Sequence, residues 1–123
     1  MEWLGLDAGT FGLDDLPDVP GAEVVQGLVA DTLPDFLNAH PGPVDFLHVD
    51  CDLYGSAVTV LDQVGPRLHV GTIIEFDEYF NFVGWREHEF RAWEECVTAH
   101  GVEFEYVAFS FDHQQVAVRV TKV

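Results

Sequence analysis

Two apolar runs in this chain end in clustered carboxylates. In Phe46-Leu47-His48-Val49-Asp50-Cys51-Asp52-Leu53-Tyr54, Asp50 and Asp52 stand just past one run. In Thr72-Ile73-Ile74-Glu75-Phe76-Asp77-Glu78-Tyr79, Asp77 and Glu78 stand just past another. If the two runs are neighbouring parallel strands, about 4.8 Å apart, their terminal acids converge. Asp50, Asp77 and Glu78 would then share one centre. Carboxylates crowded in one site repel, so one must protonate unless a cation neutralises them. Hard oxygen donors suit Mg²⁺, Mn²⁺ or Ca²⁺, and no Cys/His spacing fits structural zinc. The competing reading makes these acids helix caps, a role that Asp52 fits ahead of the helical segment starting at Ser56. Glu75 falls inside the strand pattern and reads as structural.

Other residues could join this chemistry. His48 precedes Asp50 by two, so strand alternation points both to the same side. It reads as a core or interface histidine, with support for the acids or a role as base as the alternative. His88, in Trp85-Arg86-Glu87-His88-Glu89-Phe90, is a candidate general base, with a surface histidine as the alternative. Tyr54, Tyr79, Phe80 and Trp85 could line an apolar acceptor pocket or pack as core aromatics. Arg86 and Arg91 are expected to pair with Glu87, Glu89, Glu94 or Glu95 along one helix.

The elements that would position these groups alternate along the chain. Glu2 to Asp7 and Glu23 to Val29 read as strands, separated by a Gly-, Asp- and Pro-rich loop. Asp31 to His40 reads as a short helix capped by Asp31 or Thr32, with Pro34 in its first turn. Val44 to Asp50 and Val70 to Asp77 read as strands, with a helix over Ser56 to Val64 between them. Trp85 to His100 reads as a helix with Phe90, Trp93 and Val97 on one stripe, stopped by Gly101. Val102 to Ser110 and Gln114 to Thr121 read as an antiparallel hairpin. Strands alternating with helices predict a mostly parallel sheet with helices on its faces, and ligands beyond the strands' carboxyl ends. Asp7, Asp50 and Asp77 all end strands at that rim.

Composition narrows the functions. The 123 residues carry 22 acids against 5 Lys plus Arg, a formal net charge of −17. Nothing before Arg67 is Lys or Arg. Such a field repels phosphate backbones, which argues against nucleic-acid binding, and it draws in cations. The length suits one domain, residues 1–123. No apolar run is long enough to span a membrane, and the N-terminus lacks a basic signal region. A cytoplasmic protein with Cys51 and Cys96 reduced is the expectation.

The blocks HVDCDLYGSAVTVL and PRLHVGTIIEFDEYFNFVGWREHEFRAW resemble class I S-adenosylmethionine-dependent methyltransferases, in particular the macrocin O-methyltransferase-like enzymes that tailor sugars. FGLDDLP and ADTLPDFL fit the same pattern. The resemblance implies an α/β, Rossmann-like methyltransferase sheet of order 3-2-1-4-5-7-6, mostly parallel with a C-terminal antiparallel hairpin. It implies S-adenosylmethionine as methyl donor and Mg²⁺, or another hard divalent cation, as cofactor. Asp50 then matches the metal-binding acid after the fourth strand, and Asp77 and Glu78 the acidic pair after the fifth. Asp7 matches the acid that holds the donor's ribose, and Asp31 lies near the adenine position. Asp50 and His88 are the candidate catalytic residues.

The family's first strand and glycine-rich loop should precede the segment at which this chain starts, so a truncated domain is expected. Asp7-Ala8-Gly9-Thr10-Phe11-Gly12 is the alternative location of that loop. A sheet lacking its central strand exposes an edge that would pair with a second chain. The expected activity is O-methylation of a hydroxyl on a small molecule such as a natural-product sugar. An inactive, methyltransferase-like module bound to a partner chain is the main alternative. A glycosyltransferase using Asp50-Cys51-Asp52 ranks last, because FDEYFN has no role in it.

Overall fold

The structure is a computed structural model that describes residues 15–123. The strand expected over Glu2–Asp7, and Asp7 itself, lie outside the described residues. Three helices and four strands follow in the order α1 (Val29–Ala39), β1 (Phe46–Val49), α2 (Tyr54–Val64), β2 (Ile73–Phe76), α3 (Glu89–His100), β3 (Glu103–Phe109) and β4 (Val116–Lys122). Short 3-10 turns follow α2 at Gly65–Arg67 and precede α3 at Trp85–Glu87.

The sheet order is β1-β2-β4-β3, with β1 and β2 parallel and β4 antiparallel to both β2 and β3. Three of the four strands therefore run one way and only β4 is reversed. This is the 4-5-7-6 end of the order that the resemblance implies, so the expected α/β, mostly parallel sheet with a terminal hairpin is present. The hairpin closes where the Ser110 amide donates to the Gln115 carbonyl at 2.9 Å.

Alternation sorts the sheet's two faces. Val49, Ile74, Phe76, Val116, Val118 and Val120 are buried, while His48, Glu75 and Arg119 turn the other way. Trp93 of α3 is fully buried between Phe76 and Phe104, with ring centroids 5.6 and 5.1 Å away. The three helices lie side by side, α1 against α2 and α2 against α3. Helices on both faces were the expectation; among the described residues they form one layer. The α2–α3 approach is close enough that a Cβ on Gly65 would meet the His100 ring at 2.5 Å.

Three local expectations need correction. Residues 23–28 form no strand, and Val29 opens α1 instead. Val24, Val25 and Leu28 stay exposed, and Gly27 has φ 138°. β propensity counts only where a neighbouring strand takes up the amides, and no described residue lies in a strand beside the outer edge of β1. Helix α1 also starts earlier than Asp31, so Pro34 sits inside it rather than in its first turn. Its N-cap is Leu28, with no side-chain cap from Asp31 or Thr32; Thr32 donates back to the Leu28 carbonyl at 3.1 Å. The C-terminal end is closed by Arg67, whose guanidinium donates to the Leu37 and His40 carbonyls at 2.6 Å each. Finally, the buried stripe of α3 is Glu89, Ala92, Trp93 and Cys96. Phe90 and Val97 of the expected stripe pack partly buried against the same core, so that stripe is present, but the buried face is broader and carries Glu89, expected to pair with an arginine, inward.

Candidate functional site

Parallel pairing of β1 and β2 aligns Val49 with Phe76. One more bond, from the Asp77 amide to the Val49 carbonyl at 2.9 Å, carries the ladder past the strands. Asp50 and Asp77 are therefore the first side chains beyond a shared edge, as the acid-terminated runs predict. Immediately after β1 the chain reverses in a tight turn: Asp52 has φ 62°, and the Leu53 amide reaches the Cys51 carbonyl at 2.6 Å. Asp tolerates this left-handed region better than most residues, and such strain concentrates at functional sites. Asp52 does not cap α2, whose N-cap is Leu53 with no side-chain cap bond.

The ligand-type atoms gather in two groups that share Asp50. His48, Asp50 and Asp77 form one; Asp50, Asp52 and Glu78 form the other; within each, the atoms lie within 4.8 Å of one another. The expected trio of Asp50, Asp77 and Glu78 is thus brought to one rim, but as two overlapping sets hinged on Asp50. His48 Nε2 stands 3.6 Å from Asp77 Oδ1 and 4.0 Å from Glu75. Glu75 is half-buried on the sheet face opposite the helices.

The electrostatics are strained throughout. Lost hydration, then the charges of Asp77 and Asp52, lift the Asp50 carboxyl above its usual range; His48 acts against this. Glu78 is only 7% exposed, and its Oε2 has no hydrogen-bond partner. Burial, followed by the charge of Glu89, pushes it up to about 9. Glu89, 1% exposed on the first turn of α3, accepts the Glu78 amide at 2.9 Å through Oε1, while its Oε2 is also unpartnered. Burial raises it to about 7 against the pull of the Glu78 and Cys51 amides. Cys51, raised to about 11 by burial and by Glu89, is a neutral thiol.

None of this charge is met by the five Lys and Arg residues of the chain. Arg67 closes α1, Arg86 stacks on Trp85 at 4.1 Å, and Arg91 bonds Glu87 and Glu95. Arg119 pairs with Glu105 and Lys122 with Glu103. Of the arginine partners expected on α3, Glu87 and Glu95 are found; Arg86 prefers the Trp85 ring, and Glu89 faces inward. Buried acids without partners are costly unless they hold protons or a cation.

The remaining candidates are dispersed. His88 is the N-cap of α3; its ring centroid lies 5.8 Å from that of Phe82, its Nδ1 is buried without a partner, and it belongs to neither group. Asp31 lies on the first turn of α1, in a shallow cleft of about 330 Å³ lined also by Glu23, Asp35 and Phe36. The four rim aromatics do not form one wall. Tyr79 is buried and shares a 2.7 Å hydrogen bond with the Tyr106 hydroxyl, Tyr54 donates to Glu95, Phe80 meets Phe109, and Trp85 meets Phe90. Sequence reasoning missed Glu89, although an acid four residues before Trp93, on the same helical face, is a readable signal.

Comparison with known proteins places the family and the fold. A family model described as a methyltransferase domain matches residues 8–79, more than half of the chain. Two structures of CalS11, a TDP-rhamnose 3'-O-methyltransferase of calicheamicin biosynthesis, are similar at 26% sequence identity with a TM-score of 0.61. The match covers 77% of this chain but 39% of CalS11 in one structure and 36% in the other. No curated protein matches. Among the described residues no helix is long and apolar enough to cross a membrane. The matched family model and the 4-5-7-6 strand order together show that this chain belongs to the methyltransferase domain family, on its class I sheet.

Proposed function

We propose that this chain supplies the acid-rich, acceptor-side part of an S-adenosylmethionine-dependent O-methyltransferase that acts on a small-molecule hydroxyl, such as that of a natural-product sugar. The observation that carries the reading is the rim itself: carboxylates from β1 and β2 converge there, and no Lys or Arg reaches them. The residues fit a hard divalent cation, Mg²⁺ first. Their donors are carboxylate oxygens, and the buried, unpartnered Glu78 Oε2 is a ligand atom in waiting. A cation bound there would supply Lewis-acid polarisation of the acceptor hydroxyl.

The chain's own residues do the rest. Asp50, common to both groups, would fix the ion's position, with Asp77 and Glu78 completing the oxygen set. His48, the imidazole nearest these acids, would orient Asp77. Asp7 and Asp31 would serve the methyl donor, and His88 would act as general base if the 80–88 segment delivered it to the acceptor. Holding donor methyl and acceptor oxygen in line is the main contribution such a site makes to methyl transfer.

Calorimetric titration tests this. Mg²⁺ should bind the wild-type chain, and Asp50→Ala should abolish that binding while leaving the circular dichroism unchanged. Heat on adding S-adenosylmethionine supports the enzyme. A second reading, a non-catalytic module held by a partner chain, draws on the exposed Phe46 of β1 and on Tyr106 and Phe109 of β3. Silence at millimolar S-adenosylmethionine, together with self-association in sedimentation, would favour it.

A further inference from the structure

We propose that Asp52 is a further metal ligand of the rim, joining Asp50 and Glu78 on the helix side of the β1 and β2 ends. The inference rests on the metal reading but concerns a residue that the strand-end pattern leaves as a helix cap. Alternation divides the acids that follow β2. Asp77 shares the outer sheet face with Glu75, and there its Oδ1 lies 3.6 Å from His48 Nε2 and 3.5 Å from Gln115 Nε2. Glu78, next in the chain, lies toward α3, where Glu89 accepts its amide at 2.9 Å. Outer groups of this kind orient metal ligands. Glu78 is 7% exposed, and its Oε2 has no partner. Its ligand atom lies within 4.8 Å of those of Asp50 and Asp52, a set that Asp77 does not join. An unpartnered carboxylate oxygen held out of water points to a ligand that brings positive charge.

Asp52 has no other employment in the fold. It does not cap α2, and the turn it occupies is closed by backbone groups alone, the Leu53 amide and the Cys51 carbonyl. Among the described residues no group donates to its carboxylate. Its backbone, at φ 62°, does not call for an acid either: Gly reaches this region without steric cost, and Asn as readily as Asp. A half-buried carboxylate kept there, beside two others that it repels, is accounted for by a cation that takes all three.

Because Gly and Asn both suit this backbone, the turn and the ligand can be separated by substitution. Calorimetric titration with Mn²⁺ and thermal unfolding without metal are compared in wild type, Asp52→Asn, Asp52→Gly and a charge control, Glu94→Gln, on the exposed face of α3. Affinity should fall about 10-fold in Asp52→Asn, which keeps one oxygen, and up to roughly 100-fold in Asp52→Gly, which keeps none. The melting temperature should stay level in both, and Glu94→Gln should bind within about 2-fold of wild type. Affinity kept within about 2-fold in both Asp52 variants would show an acid chosen for the turn alone. A loss as large in Glu94→Gln as in Asp52→Asn would show diffuse attraction to an acidic surface. Either result overturns the inference, and the first leaves the metal reading standing. If Asp52→Gly unfolds early, Asp52→Asn decides by the same criterion. Wild type that takes up no Mn²⁺ overturns the metal reading and the inference with it.

Discussion

The acids of α3's outer surface and those of the β1–β2 rim are the same residue types in opposite circumstances. On that outer surface, Glu87 of the 3-10 turn that leads into α3 and Glu95 of the helix itself flank Arg91 at four-residue spacing and remain in water. The hydrogen bonds from Tyr54 and Arg91 hold the Glu95 carboxyl below its usual range. At the rim, Asp50, Glu78 and Glu89 are all raised, burial being the first cause in each, and no Lys or Arg side chain answers them. The helix acids belong to a solvated, self-compensated surface whose pairs add little stability. The rim acids cost stability as they stand, which is what a site built for something else looks like.

The sharpest way to break this contrast is Asp50→Asn. It removes the carboxylate common to both ligand groups, so Mn²⁺ affinity should fall by more than the roughly 100-fold typical of the largest outer-group losses. The metal-free protein should melt at the same temperature or slightly higher, because a repulsive charge is gone. Scanning calorimetry beside the titration checks both.

Next in size is a pH effect. Glu89 and Glu78 have folded values of about 7 and about 9, both above the ordinary 4.5. From pH 4.5 upward the folded chain holds protons that the unfolded chain has released, so stability falls as pH rises through that window. The two carboxyls interact, so the loss belongs to the pair rather than to either residue. Urea unfolding without divalent ions should therefore show greater stability at pH 5 than at pH 8, and saturating Mg²⁺ should flatten the slope. A pH-independent midpoint would show that these acids are compensated after all.

Glu78→Gln should act more modestly, raising metal-free stability at pH 8 by on the order of 1 kcal/mol while weakening Mn²⁺ binding about 10-fold. Smallest of all, Arg91→Ala should cost under about 1 kcal/mol in thermal unfolding and leave Mn²⁺ affinity untouched, because its partners lie in the exposed network. An Arg91 variant that altered metal binding would erase the distinction between the two regions.

Much of this was legible in the chain itself. The apolar runs ending in Asp50 and Asp77 announced two strands, and strand-to-strand spacing alone brought their acids together. Gly101 closes α3 at φ 65°, as a C-terminal glycine should. What escaped depended on neighbours in space. EVVQGL has strand composition, yet residues 23–28 pair with nothing described and remain irregular. Asp52 looked like a helix cap, but the left-handed turn after β1 turns it toward Glu78. Glu89 counted among surface acids because the buried face of α3 is broader than its Phe90–Trp93–Val97 stripe, and His48 gained weight only when β2 laid Asp77 beside it.

The most direct test maps Mn²⁺ on the wild-type chain by paramagnetic broadening of backbone amides. At substoichiometric Mn²⁺ and pH 8, signals from residues 50–52 and 77–78 should vanish first, while those of Glu87, Glu94 and Glu95 persist. Broadening that begins on the outer face of α3, or spreads evenly over the acidic surface, would contradict the account.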